Sequence, residues 1–149
     1  MDGTEGSHFK RVLIATDGSE NAEKAASYGM YLAKAACAEV HVLYVISTQH
    51  AVTTRTVKSW SEGLEEYLKD KGRVAIGNVE KMGEEAGVKV KSVFLKGIPA
   101  DKILEYAREN NIDLIVVGTH GLTGIKKFLI GSIAEKVVRH SRVPVMVIR

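Results

Sequence analysis

One stretch near the carboxyl terminus decides the fold, residues 113–142, which read DLIVVGTHGLTGIKKFLIGSIAEKVVRHSR. It opens on the apolar, mostly β-branched run LIVV at 114–117, which is typical of a strand buried on both faces. The strand ends at Gly118, and a second glycine follows at Gly121. After nine further residues come Gly131 and Ser132, and then apolar residues at helical spacing, namely Ile133, Ala134, Val137 and Val138. A buried strand therefore leads through a glycine-containing loop to the start of a helix.

This order of elements suits the binding of an anion. Glycines allow backbone N–H groups to approach a phosphate without interference from a Cβ atom. The start of a helix offers unpaired N–H groups and the positive end of the helix dipole. We predict Ser132 as the N-cap, with a hydroxyl that can turn to a phosphate oxygen instead, and Lys126 and Lys127 add positive charge. The alternative is that the glycines are only turn residues and that Ser132 only caps the helix.

Outside this stretch, apolar periodicity predicts alternating strands and helices in a single domain at residues 9–149. The predicted strands cover residues 9–16, 39–46, 88–95, 114–117 and the segment from 143 onward, and the predicted helices cover 20–37, 58–87, 99–110 and 132–141. This order predicts a parallel sheet with helices on both faces. Residues 1–8 are polar and are predicted to form a disordered tail.

Some residues in the helices carry local predictions. Gly72 and Gly77 weaken the helix at 58–87 and favour a bend or a break there, and Lys71 falls on its apolar face. The single cysteine, Cys37, falls on the Ala-rich first helix and is expected to be a small core residue.

The motif Gly118-x2-Gly121-x9-Gly131-Ser132 resembles the nucleotide-binding motif of the universal stress protein family, in its branch of ATP binders. The opening VLIATDGS at 12–19 and the closing VPVMVI at 143–148 are similar to that family's first and last strands, so the resemblance covers residues 9–149. It implies a Rossmann-like, adenine nucleotide alpha hydrolase-like α/β fold, a five-stranded parallel sheet in the order 3-2-1-4-5. In that order the winding reverses between strands 1 and 4, and ligands bind at such a point, outside the carboxyl ends of the strands. Those ends are Asp17 and Gly118.

The resemblance also implies a site for ATP, or for AMP or ADP, with Mg²⁺ or Mn²⁺ at the phosphates. The triphosphate would lie on the loop and the helix start, at Gly118, Thr119, His120, Gly121, Gly131, Ser132 and Ile133, with Leu122 and Thr123 beside the loop. Ala15, Thr16 and Asp17 would contact the ligand from the first strand, with Asp17 at the ribose or the metal ion, and Val45 would contact adenine.

The residues alone leave alternatives open at three of these positions. Asp17 is also suited to cap the following helix, and Val45 to lie in the core. His120 lies between two glycines and is expected to face solvent rather than to act as a base, so no catalytic residue is predicted.

The last strand, residues 143–149, is apolar on both faces although it would lie at the end of the sheet. An exposed apolar edge favours association with another chain unless it is covered. We therefore predict a second copy of the chain that pairs strand to strand, and the family resemblance implies a homodimer of this kind. The alternative is that the chain's own loops cover the edge.

Composition restricts the partners. A net charge of +3, with no run of more than two Lys or Arg residues, does not indicate nucleic acid, and no segment of 18 apolar residues indicates a membrane. A cytoplasmic location is expected. The family resemblance implies a nucleotide-dependent regulatory or stress-response switch. A slow ATP hydrolase and a nucleotide-free dimeric interaction module remain as alternatives.

Overall fold

The computed structural model describes residues 8–48, 58–120 and 130–149. Its elements in chain order are β1 (Arg11–Ala15), α1 (Glu20–Ala36), β2 (Glu39–Ser47), α2 (Lys58–Ala86), β3 (Val90–Gly97), α3 (Pro99–Glu109), β4 (Leu114–Gly118), α4 (Ser132–His140) and β5 (Val145–Ile148). Each predicted strand and helix is present, with ends that differ by a few residues. The predicted tail at 1–8 lies outside the described residues except for His8.

The five strands form one parallel sheet in the order β3-β2-β1-β4-β5, which confirms the expected topology. β1 lies at the centre, where Ile14 is aligned with Val42 of β2 and Val116 of β4. The edge strands are β3, as predicted, and β5. None of the helices in the described ranges is long and apolar enough to cross a membrane.

The hydrophobic core has two layers, one on each face of the sheet. On β1, Val12 and Ile14 belong to the layer that packs against α1 and α2, whereas Leu13 belongs to the layer under α3 and α4. All three side chains are fully buried. This explains why the central strands are continuous apolar runs rather than alternating ones, because both of their faces are covered.

α1 begins as predicted and ends differently. Ser19 is its N-cap, and the hydroxyl accepts a hydrogen bond from the backbone N–H of Ala22 at 3.1 Å. The prediction for Cys37 is wrong, because this residue is exposed and ends the helix in the left-handed conformation with φ of 54°. The next residue, Ala38, turns into the core instead and is 6% exposed.

α2 is one uninterrupted helix, so no break occurs at Gly72 or Gly77. The placement of Lys71 on the buried face is also wrong, because Lys71 is exposed and Gly72 is buried. A Cβ atom at position 72 would lie 2.6 Å from the ring of Tyr44 and 2.8 Å from the ring of Phe94. Gly72 therefore lets the helix lie close to two aromatic side chains of the sheet.

Candidate functional site

The site expected from the topology lies where the chain leaves β1 and β4. β1 pairs with β2 on one side and with β4 on the other, and the chain continues from β1 to β2 but from β4 to β5, so the two connections run in opposite directions across the sheet. Asp17 follows β1, and Thr119 and His120 follow β4. Because parallel strands end at the same edge of a sheet, the structure brings these residues to one edge.

The turn after β1 is held by its own side chains. The hydroxyl of Thr16 accepts a hydrogen bond from Gly18 N–H at 3.1 Å, and Asp17 Oδ1 accepts one from Ser19 N–H at 2.9 Å. The residue that caps α1 is Ser19, so Asp17 does not act as the N-cap. Asp17 is half-buried, and within the described part of the chain Oδ2 makes no hydrogen bond. One carboxylate oxygen of Asp17 therefore shapes the turn at the end of β1.

The negative charge of Asp17 affects the pKa of a tyrosine on β2, Tyr44. Burial is the main cause that raises the pKa of the Tyr44 hydroxyl, and the negative charge of Asp17 is the second. The charge of Asp17 therefore disfavours a second negative charge at Tyr44, which lies in the core layer between the sheet and α2.

The loop after β4 is closed at its base. Thr119 N–H donates to the carbonyl of Ile148 at the end of β5 at 2.8 Å, and Gly131 N–H donates to the carbonyl of Thr119 at 2.5 Å. The two ends of the glycine-containing loop therefore lie side by side. Three predicted site residues, Gly121, Leu122 and Thr123, lie outside the described residues.

α4 begins at this closure, at Ser132 as predicted, but its N-cap lies one residue earlier than predicted. Gly131 is the N-cap, with extended backbone angles of −64° and 156°, and its carbonyl accepts the first helical hydrogen bond from Glu135 at 2.9 Å. The prediction of Ser132 as N-cap is therefore wrong, since Ser132 is the first helical residue. Among the described residues no side chain caps the helix, and both Ser132 and Ile133 are exposed. Their N–H groups occupy the positions at which helices bind anions.

His120 is held by its backbone and contacts a hydroxyl through its ring. Its N–H donates to Asn21 Oδ1 at 3.1 Å, and Nδ1 lies 3.0 Å from the Thr119 hydroxyl. Within the described residues, no group of three or more His, Cys, Asp or Glu side chains could hold a metal ion. The N–H groups of Thr119, His120 and Gly131 are paired within the protein. The other groups gathered here are the N–H groups at the start of α4, hydroxyls and one carboxylate.

Asn21 is a site residue that the sequence analysis missed. Its side chain is 9% exposed and hydrogen-bonds to His120 after β4 and to Ile148 at the end of β5. The available signal was its position on the buried face of α1, four and eight residues before Ala25 and Gly29. A polar residue on an apolar face needs a partner, and this one has two.

Gly118 also has a function that differs from the expected one. A Cβ atom at this position would lie 2.1 Å from Asn21 Oδ1. The absence of a side chain therefore admits the amide of Asn21, whatever contact the backbone of Gly118 makes with a ligand.

Ala15 and Val45 lie at the carboxyl ends of β1 and β2, half-buried against the core layer under α3 and α4. The two strands are joined there by a hydrogen bond from Thr16 N–H to the carbonyl of Leu43 at 3.0 Å. Val45 therefore packs against the core. It also lies at the carboxyl end of its strand, at the same end of the sheet as Asp17.

A second polar cluster lies at the opposite edge of the sheet, where β1 and β2 begin. With Nε2 protonated, the buried His41 donates to Glu39 Oε1 at 2.9 Å, and its Nδ1 accepts from the Tyr106 hydroxyl at 2.7 Å. Arg11 Nε also donates to Glu39 Oε1, at 3.1 Å. The bond from His41 is the largest cause that lowers the pKa of Glu39; burial opposes it, and Arg11 adds to it.

Comparison with known proteins gives concordant results. The model of the universal stress protein family matches residues 8–149. The universal stress protein MJ0531 of Methanocaldococcus jannaschii is 40% identical over 141 residues, which cover 95% of this chain and 82% of that protein. The solved structure of MJ0577, from the same organism, has a TM-score of 0.79 at 32% identity and covers 95% of this chain and 96% of its own.

Two further solved structures are complexes with nucleotides. A universal stress protein in complex with cAMP has a TM-score of 0.74 and covers 96% of this chain and 99% of its own. One from Archaeoglobus fulgidus in complex with dAMP has a TM-score of 0.64 and covers 95% of this chain and 98% of its own. Both are 23% identical to this chain, so these likenesses concern the fold alone.

Proposed function

The chain belongs to the universal stress protein family, and on that premise we propose that it is a cytoplasmic ATP-binding module that acts as a nucleotide-dependent regulatory or stress-response switch. The observation that carries the proposal is the start of α4. This helix has a glycine N-cap, has no side-chain cap and begins beside Thr119, at the carboxyl edge of the central strands. Such an arrangement favours an anionic ligand over a neutral one.

In this proposal, the triphosphate lies on backbone groups from Gly118 to Gly121 and on the N–H groups of Ser132 and Ile133, with the Ser132 hydroxyl as an additional donor. That hydroxyl is more available than a capping hydroxyl, because Ser132 follows the N-cap. Thr16 and Ala15 border the ligand from β1, and Val45 lies on the side of the adenine. Leu122 and Thr123 flank the loop.

Asp17 is the residue that would hold Mg²⁺ or Mn²⁺ with the phosphates, or else the ribose hydroxyls. A single carboxylate fits such an ion, because Mg²⁺ usually keeps several waters and is bound through one or two carboxylates together with substrate phosphates. When bound, the ion would neutralise phosphate charge near Asp17.

An adenine nucleotide is the ligand class that the relatives support, since solved family members are complexes with cAMP and dAMP. We propose ATP within that class because the motif Gly118-x2-Gly121-x9-Gly131-Ser132 resembles that of the family's ATP binders.

We also propose that the chain forms a homodimer through β5. This strand pairs with β4 on one edge, and in the described residues no strand pairs with its other edge. All four of its residues are half-buried and apolar. A second copy would cover this edge by pairing strand to strand.

Thermal unfolding of the purified, nucleotide-free protein tests the proposed ligand. Mg²⁺–ATP at 100 times its dissociation constant should stabilise the fold by about 2.7 kcal/mol. For a domain of this size the midpoint should rise by about 5–10 °C, and Mg²⁺–GTP at the same concentration should raise it less. Equal midpoints with and without ATP would reject nucleotide binding and favour the nucleotide-free interaction module.

A further inference from the structure

We propose that Asn21 is the positioning residue of the nucleotide site, in that its amide holds the exit of β4 against the end of β5 and so fixes the first part of the phosphate loop. This inference rests on the proposed function for its effect on affinity. The hydrogen bonds that Asn21 makes to the two strand ends lie within this chain and do not depend on a ligand.

Both polar atoms of the Asn21 amide form hydrogen bonds to residues that are far away in sequence. Oδ1 accepts a hydrogen bond from His120 N–H at 3.1 Å, and Nδ2 donates to the carbonyl of Ile148 at 3.2 Å. The same carbonyl accepts from Thr119 N–H at 2.8 Å. Asn21 thus joins the first turn of α1 to two strand ends that lie next to each other in the sheet.

An asparagine is chemically suited to this position. The exit of β4 presents an N–H donor and the end of β5 presents a carbonyl acceptor, so the side chain between them needs one acceptor and one donor on a short stem. Aspartate would offer no donor to Ile148, and alanine would offer neither group. Asn21 is 9% exposed and its bond to His120 is partly buried, so leaving the His120 N–H unpaired would cost stability.

Gly118 provides the space for this amide. A Cβ atom there would lie 2.1 Å from Oδ1 and 2.9 Å from Cγ of Asn21. The first glycine of the predicted phosphate motif therefore serves the close approach of α1 to the end of β4. Gly118 and Asn21 form one structural unit at the base of the loop.

The consequence for the site follows from the position of His120. The backbone from Thr119 to His120 leads into the loop, and Thr119 is tied to Gly131 at the start of α4. With the bond to Asn21, which takes up the N–H of His120, the backbone at the loop entrance has one arrangement before binding. Without it, the entrance would have to be ordered at each binding event, which lowers affinity.

The test compares Asn21→Ala with Asn78→Ala as the matched control. Asn78 is an exposed asparagine on α2 whose amide donates to Glu23 of α1 at 2.7 Å, a contact that includes neither strand end. Two quantities are measured at a temperature where all variants are folded: the dissociation constant of Mg²⁺–ATP, and hydrogen exchange at the amides of Thr119 and His120 in nucleotide-free protein.

For Asn21→Ala, we expect the dissociation constant to rise by about tenfold and exchange at His120 to accelerate by at least about tenfold, because a hydrogen bond at the loop entrance is lost. For Asn78→Ala, both quantities should stay within about twofold of the wild type. If Asn21 only stabilised the fold, Asn21→Ala would accelerate hydrogen exchange at many amides equally. A positioning role therefore requires that exchange accelerates more at His120 than at the amides of the buried strand β1.

Unchanged exchange at His120 in Asn21→Ala would overturn the positioning role. Accelerated exchange with an unchanged dissociation constant would overturn the link to affinity. If the wild type binds no nucleotide, the proposed function fails, and the exchange measurement still decides whether Asn21 positions the loop.

Discussion

A side chain at position 118 would collide with the amide of Asn21, and a side chain at position 72 would collide with Tyr44. These two glycines have the same physical role in different parts of the fold, which is to let a helix approach the sheet. Gly131 differs from both, because it serves as the N-cap of α4. Only the surroundings of each glycine distinguish these roles.

Glu39 leads to a prediction about pH. Its pKa is lowered in the folded state by the hydrogen bond from His41, with further contributions from Arg11 and Lys89 and with burial opposing them. A carboxyl whose folded pKa is lowered contributes stability above its ordinary pKa of about 4.3, and this contribution is lost as the pH falls through the folded value. Tyr106 contacts His41 from α3 and bears no charge in this range.

We therefore expect Glu39→Gln to lower the free energy of unfolding by about 1 kcal/mol at pH 7, and the difference from the wild type to vanish near pH 3. Glutamine keeps the size of the side chain and an acceptor for His41, so the variant isolates the charge. Urea unfolding at pH 7, 5 and 3 measures this difference. A difference that stays constant over this range would mean that the charge of Glu39 is not involved.

At the scale of the elements, α2 offers a direct comparison of two helical glycines. A Cβ atom at Gly72 would meet the rings of Tyr44 and Phe94, whereas at Gly77 it would meet no atom within 4 Å. We expect Gly77→Ala to stabilise the protein by about 0.5–1 kcal/mol through helix propensity. Gly72→Ala should destabilise it by about 1–3 kcal/mol because of overpacking.

Both variants are compared with the wild type by urea unfolding at neutral pH. Each gains the same helix propensity, so their difference reports packing at position 72. Equal stability of the two variants would contradict the claim that Gly72 is needed for the close packing of α2 against Tyr44 and Phe94.

The types and order of the elements could be predicted because apolar periodicity reports burial directly. The N-cap of α4 could not be identified from the sequence, because Gly131 and Ser132 are both good N-caps by residue type. The bond from Gly131 to Thr119 decides between them, and that contact is between elements. Cys37 was misplaced for a related reason, since the left-handed turn that ends α1 has no glycine to mark it.

At the scale of the whole molecule, the parallel sheet followed from the alternation of strands and helices, whereas the strand order came from the family resemblance. The partners of Asn21 lie 99 and 127 residues away in sequence, so no local pattern indicated them. The edge that holds the site could be predicted because it follows from topology. The side chain that fixes its geometry became visible only when the strand ends were placed side by side.

The proposed dimer gives a prediction at this scale. The carbonyls of Pro144 and Ile148 accept bonds from β4, at 3.0 and 2.8 Å, so the backbone groups of Val145 and Val147 point to the open edge. Val147→Pro removes one outward N–H donor and should convert the dimer into a monomer. Val147→Thr, which keeps the backbone donor, should remain dimeric.

Sedimentation equilibrium distinguishes these species by mass, at several protein concentrations. If the wild type sediments as a monomer throughout, or if Val147→Pro stays dimeric, the edge of β5 is not the dimer interface.

The most direct test of nucleotide binding at the start of α4 is isothermal titration of Mg²⁺–ATP into the wild type, Ser132→Asp and Ser132→Asn. Ser132 is exposed at the first position of α4, where a carboxylate favours the helix but repels a phosphate. We predict that Ser132→Asn binds within about fivefold of the wild type and that Ser132→Asp binds at least about tenfold more weakly, with no loss of thermal stability. Equal affinity in all three proteins, or no binding by the wild type, would contradict a phosphate site at this helix.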